Sequence, residues 1–181
     1  MDDNKKKIAF IINPISGTQG KEHILKWLDE KLDKNRYMPE VIYTEWAGHA
    51  VEIASRKAKE EVFAVVAIGG DGTINEIARS LVHTKTALGI IPCGSGNGLA
   101  RHLQIPMEAK KAIDIINEGL IDIIDYGKIN DVPFFCTCGV GFDAFVSLQF
   151  SKAGRRGPLI YLEKTLLESL KYKPETYELE M

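Results

Sequence analysis

The sequence lacks most of what would tie a chain to secretion, to a membrane span or to nucleic acid. Cysteine is scarce: Cys93, Cys136 and Cys138 are an odd, small set that makes no disulfide framework and points to a reducing compartment. Cys136 and Cys138 form C-x-C, which on a strand puts both side chains on one face. A zinc site would need a second such pair or a His-x3-His, and neither is present, so small core residues are expected. No apolar run approaches the ~18 residues of a membrane span. The first apolar stretch stops at Ile12, before Asn13-Pro14, which is too short for the apolar region of a signal peptide. A cytoplasmic protein is expected, with residues 1–4 as a frayed tail. Charge of one sign is also missing. The formal net charge is −2, which removes the cheapest support for general nucleic-acid binding. His23, His49, His83 and His102 show no ligand spacing, and no repeat or low-complexity tract is visible.

What is present suits a globular fold: 45% apolar and 27% charged residues in a chain of 181. At about 150 residues per domain, this is one domain and a remainder.

Strand and helix patterns alternate. Ile8–Ile12 is a short apolar run of the kind buried on both faces of a parallel sheet. Ile24, Leu25, Leu28 and Leu32 then recur at helical spacing between Lys21 and Lys34. Val41–Thr44 reads as a second strand, Ala47–Glu60 as a helix and Val62–Ile68 as the strongest strand. A helix follows through Ile74, Ile77, Ala78 and Leu81, then a strand at Thr86–Ile91 and a short helical piece at Leu99–Leu103. Met107–Glu118 reads as a helix closed by Gly119, and Leu120–Ile129 as a returning strand. This βαβ order implies an α/β fold: a three-layer α/β/α, Rossmann-like parallel sheet with helices on both faces. After residue 130 the pattern changes. Pro133–Cys138 reads as a strand, Ser151–Pro158 as a basic loop, Leu159–Tyr172 as a helix and Tyr177–Glu180 as the start of a strand.

Three glycine-rich turns follow the strands ending at Ile12, Ile68 and Ile91, so a parallel sheet brings them to one edge, where ligands of such folds bind. Glycines let a phosphate approach backbone N–H groups, and helix N-termini favour anions. One such loop is readily an ordinary tight turn; three together can line a polyphosphate site. The spacing excludes the P-loop (Gly20-Lys21 is followed by Glu22), the G-x-G-x-x-G dinucleotide fingerprint and the G-x-S-x-G nucleophile elbow. Asp71 stands amid Gly69, Gly70 and Gly72. A carboxylate there is unfavourable beside phosphates unless it meets a cation or a proton in transit, and both uses fit phosphoryl transfer. The plainer reading is a turn aspartate capping the helix at Thr73. Glu76, one turn on, fits Mg²⁺ or a ribose, or simply the acid favoured in a first helical turn.

These residues resemble a family. Gly69-Gly70-Asp71-Gly72-Thr73-Ile74-Asn75-Glu76 is similar to the GGDGTxNE signature of the diacylglycerol kinase catalytic domain, shared with sphingosine, ceramide and bacterial lipid kinases. Asn13-Pro14-Ile15-Ser16-Gly17 resembles its NPxSG loop, and Pro92–Arg101 its PxGTxNDxAR segment in an SGN form. Thr44-Glu45 with His49-Ala50 resembles its threonine segment after the second strand. Asp125-x-Gly127 and Gly141-Phe142-Asp143-Ala144 fall where the family has DxG and GFDA.

The resemblance implies ATP, Mg²⁺ and transfer of the γ-phosphate to a membrane lipid hydroxyl of diacylglycerol or sphingoid-base type. By it, Asn13, Pro14, Ser16, Gly17, Thr44, Gly69, Gly70, Gly72, Thr73, Glu76, Gly94, Ser95, Gly96 and Asn97 line ATP. Asp71 is the catalytic or metal-linked acid, and Asp125 and Asp143 belong to the lipid side. No Walker lysine is present, so N–H groups and Mg²⁺ are expected to neutralise most of the charge. The usual Asn-Asp of the third segment is Asn97-Gly98 here, which removes one acidic partner. The domain expectation is a nucleotide-binding unit over residues 5–130 and, over 131–181, the incomplete start of a β-rich lipid-binding domain. On that reading the chain is a truncated form that holds the ATP site. It is cytoplasmic, with contact at the inner membrane face through Lys152, Arg155 and Arg156 and the nearby Phe142, Phe145 and Phe150. Two alternatives stay open: an NAD-kinase-like phosphotransferase, and a nucleotide-binding fragment without turnover.

Overall fold

The structure is a computed structural model and describes residues 5–15, 21–152, 165, 167, 169, 172–178 and 180. Ser16 and Gly17, most of the basic loop and much of the expected helix at 159–172 lie outside the described residues. The chain divides into two compact units, Met1–Cys136 and Thr137–Met181.

The first unit is built on four parallel strands in the order β2-β1-β3-β4: β1 (Lys6–Ile12), β2 (Tyr37–Tyr43), β3 (Ala64–Gly69) and β4 (Ala87–Pro92). Successive side chains on a strand face opposite ways, and two cores result. Ile8, Phe10 and Ile12 with Val66 and Ile68 pack under α1 (Glu22–Lys31) and α5 (Ala109–Glu118) through Ile24, Leu28, Ala112 and Ile113. Ala9, Ile11, Val65 and Ala67 pack on the other face under α2 (His49–Lys59) and α3 (Asp71–Leu81) through Ala50, Ile53, Ile74 and Ile77. The short α4 (Gly98–His102) joins this second core through Leu99 and Ala100. The three-layer expectation therefore holds.

Gly119 closes α5 at φ +67°, the left-handed conformation in which glycine is unstrained, and a Cβ there would sit 2.5 Å from the Tyr37 hydroxyl.

Three element expectations are corrected. β2 begins at Tyr37, not Val41, because an edge strand tolerates Pro39: its register partner is Ile8, and its other side has no strand among the described residues. The strand expected over Leu120–Ile129 is confined to β5 (Gly127–Ile129), which pairs antiparallel with β6 (Val132–Phe134) outside the parallel sheet. In Leu120–Asp125 the apolar residues come in pairs divided by Asp122 and Asp125, a period that matches neither face of a strand. Ile123 is fully exposed. The strand expected over Pro133–Cys138 ends at Phe134, and Cys136 and Cys138 are exposed free thiols rather than core residues.

In the second unit, α6 (Phe142–Lys152) buries Val146, and Phe142 and Phe145 pack against the Tyr172 ring. Tyr177 donates its hydroxyl hydrogen bond to Glu175, which pushes the phenol up to about 12. No strand is present among the described residues of Tyr177–Glu180.

Candidate functional site

The parallel strands end together, and the loops that leave them are tied side by side. The Thr44 N–H donates to the Ile12 carbonyl (2.9 Å), Asn13 to Ile68 (3.4 Å) and Cys93 to Gly69 (2.7 Å). Thr44, Asn13, Gly69-Gly70 and Cys93-Gly94 thus line one edge in strand order. The outer strands lie three ladder spacings apart, about 14 Å.

At the centre, two glycine backbones touch. A Cβ on Gly94 would lie 2.7 Å from the Gly70 Cα and 2.8 Å from the Asn97 Oδ1. The approach demands glycine at 94, while a Cβ on Gly70 would lie a tight 3.2 Å from the Gly94 Cα. Gly72 is different: a Cβ there would meet nothing within 4 Å, so space remains beside the first turn of α3. That turn brings N–H groups and the positive end of a helix dipole to the same edge.

Asp71, the first residue of α3, reaches across to the loop after β4. Its Oδ2 accepts the Asn97 N–H at 2.7 Å and its Oδ1 the Gly98 N–H at 2.6 Å. The second helix N-terminus of the edge, that of α4, is therefore capped by a carboxylate of the chain itself. A Cβ on Gly96 would meet the Asp71 Oδ2 at 2.8 Å and push the carboxylate off these N–H groups.

Asn97 is buried, left-handed at φ +56°, and bracketed to Gly94 in both directions. Its Oδ1 accepts the Gly94 N–H (2.9 Å), and its Nδ2 donates to the Gly94 carbonyl (2.7 Å). Arg101 Nε donates to the Gly96 carbonyl at 2.8 Å. The first loop is joined to α3 by Asn13, whose Nδ2 donates to the buried Thr73 Oγ1 at 3.2 Å.

Most of the expected site residues within the described part therefore share this edge: Asn13, Thr44, Gly69, Gly70, Asp71, Gly72, Thr73, Gly94, Gly96 and Asn97 through the contacts above, with Pro14 and Ser95 as exposed neighbours in the same loops. Glu76 is half-buried one turn into α3. Asp125 is exposed in the segment before β5, and Asp143 lies in the first turn of α6 in the second unit.

Sequence reasoning missed Lys21. It is buried, and its ammonium donates to the Asn13 carbonyl. Burial lowers its pKa, while the neighbouring Cys93 works in the opposite sense; burial in turn raises the Cys93 thiol and Lys21 pulls it down. The signal in the sequence is the Gly20-Lys21 pair, a lysine placed directly after the first glycine-rich turn and before the first helix. Among the described residues, no three His, Cys, Asp or Glu side chains group closely enough to hold a metal ion. No helix there is long and apolar enough to cross a membrane.

Residues 7–129 match the family model described as "Diacylglycerol kinase catalytic domain". Similar proteins include a diacylglycerol kinase of Staphylococcus saprophyticus, 34% identical over 132 residues that cover 72% of this chain and 43% of the relative. One of Bacillus subtilis is 36% identical over 140 residues, covering 75% and 46%. One of Staphylococcus carnosus is 31% identical over 164 residues, covering 88% and 54%. The chain thus spans about half the length of these relatives. The crystal structure of a diacylglycerol kinase from Bacillus anthracis superposes with a TM-score of 0.63 at 25% identity, covering 71% of this chain and 48% of that one.

Proposed function

Because the chain belongs to the diacylglycerol kinase catalytic domain family, we propose that its glycine-lined edge holds ATP and serves transfer of the γ-phosphoryl group to a lipid hydroxyl. The observation that carries this reading is the convergence of three loops around the Gly70–Gly94 contact, with open space at Gly72 beside the first turn of α3. Backbone N–H groups there suit phosphate oxygens, and the Lys21 ammonium adds positive charge at the Asn13 end.

In the transfer, the lipid oxygen forms a bond to the γ-phosphorus, the bond to the β–γ bridging oxygen breaks, ADP leaves, and the hydroxyl proton passes to a base. The Asp71 carboxylate is the base we place at this step. Each of its oxygens spends one lone pair on an N–H of the neighbouring loop and keeps another. Mg²⁺, where bound, would be held chiefly by phosphate oxygens and water with Asp71 as the protein carboxylate, and would neutralise developing charge. Asp125 and Asp143 are proposed for the lipid side. For the domains, we propose a nucleotide unit over residues 5–130, with 131–181 opening the lipid-binding part. Contact with the inner membrane face belongs to the same reading.

The test is a panel of diacylglycerol, sphingoid base, monoacylglycerol and NAD with γ-labelled ATP. Label in a lipid is expected, diacylglycerol first. Label in NAD alone would overturn the lipid reading.

A further inference from the structure

The β2–α2 turn carries a feature that phosphate binding does not use. Trp46 and His49 stack face to face, with ring centroids 3.8 Å apart and planes 4° from parallel. The imidazole is held in place: the Glu45 N–H donates to its Nδ1 at 3.2 Å, and the His49 N–H donates to the Trp46 carbonyl at 3.3 Å. That hydrogen bond gives Nδ1 the acceptor role and holds the ring against the indole. One indole face is thus covered by His49, yet Trp46 remains 53% exposed, which leaves the area of its other face in solvent. An indole so exposed forgoes burial worth more than that of almost any other side chain. It stands two residues past Thr44, whose N–H bonds the β1 end at Ile12 immediately before Asn13.

The geometry points to Trp46 as the stacking platform for the base of the bound nucleotide, and to purine nucleotides as the class the site prefers. This rests on the nucleotide reading given above. The phosphates would lie at Gly70 and Gly94, and the base at the β2 end, two strand spacings from the first and three from the second, about 10–14 Å. The base face of any nucleotide can stack on an indole, but a bicyclic purine overlaps it more fully than a pyrimidine. The preset indole loses little conformational freedom on binding, because His49 already fixes it.

The experiment uses the whole chain with Trp27→Phe, which leaves Trp46 as the single tryptophan. ATP, GTP, CTP, UTP and inorganic tripolyphosphate are titrated with Mg²⁺, read by fluorescence and by calorimetry. ATP and GTP are expected to quench Trp46 and to bind more tightly than CTP and UTP, while tripolyphosphate binds without quenching. Trp46→Ala is expected to weaken ATP roughly five- to hundredfold, to erase the purine preference and to leave tripolyphosphate unchanged. Trp46→Phe should restore part of both. A turn whose stack were merely structural would lose affinity for ATP and tripolyphosphate alike. Unchanged ATP affinity in Trp46→Ala, or equal loss for tripolyphosphate, overturns this inference alone. Absence of any ATP binding to the unsubstituted chain overturns the nucleotide reading itself.

Discussion

The Asp71 Oδ2 accepts the Asn97 N–H at 2.7 Å, which joins the loop after β3 to the loop after β4. The same carboxylate takes the Gly98 N–H on its other oxygen. Asp71→Asn would keep one acceptor and turn an NH₂ toward the other N–H, leaving two donors facing each other. The expected result is loss of phosphoryl transfer together with about 1–3 kcal/mol of stability, measured by urea denaturation. An unchanged urea midpoint would mean that the tie between the loops contributes nothing.

Asn97 supports the same loop from within. Asn97→Ala removes both hydrogen bonds to Gly94 and keeps a left-handed backbone that alanine adopts poorly. A loss of about 2–4 kcal/mol is expected by thermal or urea unfolding. Asn97→Gly should recover only the part due to backbone strain.

Two glycines give opposite predictions. Gly94→Ala drives a Cβ to 2.7 Å from the Gly70 Cα and should destabilise the fold by about 1–3 kcal/mol while weakening ATP binding. Gly72→Ala meets nothing within 4 Å and lies in a helical turn, so stability should rise by about 0.5–1 kcal/mol. If a phosphate uses that space, ATP affinity in Gly72→Ala falls although the protein is more stable. Calorimetry beside thermal unfolding separates the two effects.

A pH prediction comes from Lys57, buried between β2 and α2. Burial draws its ammonium down, but bonds to Glu40 and Glu60 at 2.8 Å outweigh it and hold the group above 10.5. A raised lysine contributes stability that is complete below 10.5 and is lost as pH rises through the folded value. Glu60, lowered from 4.5 by Lys57, contributes stability that is present above 4.5 and lost as pH falls through its folded value. Lys57→Met should therefore flatten both arms of the stability–pH curve, measured as urea midpoints at acid, neutral and alkaline pH.

The sheet and its helices were legible where β1, β3 and β4 carry apolar runs and the longer helices a 3.6-residue stripe, while β2, interrupted by Pro39 and Glu40, was legible only in its second half. The gathering of the loops followed from parallel strands alone. Three things were not legible. Leu120–Asp125 is apolar enough for a strand, but its period suits neither face. Lys21 lay in a glycine–lysine pair that fits no known phosphate spacing, and only folding buries it beside Asn13. Asp71 posed an electrostatic question, a carboxylate where phosphates are expected. Its answer is long-range: the N–H groups of Asn97 and Gly98 lie 26 and 27 residues away in sequence.

Calorimetric titration of Mg-ATP into the unsubstituted chain and into Gly94→Ala tests the central claim most directly. One ATP is expected to bind each unsubstituted chain, with affinity lost when Gly94 gains a methyl group. No binding to the unsubstituted chain, or equal binding by both, would contradict the assignment of this edge as the nucleotide site.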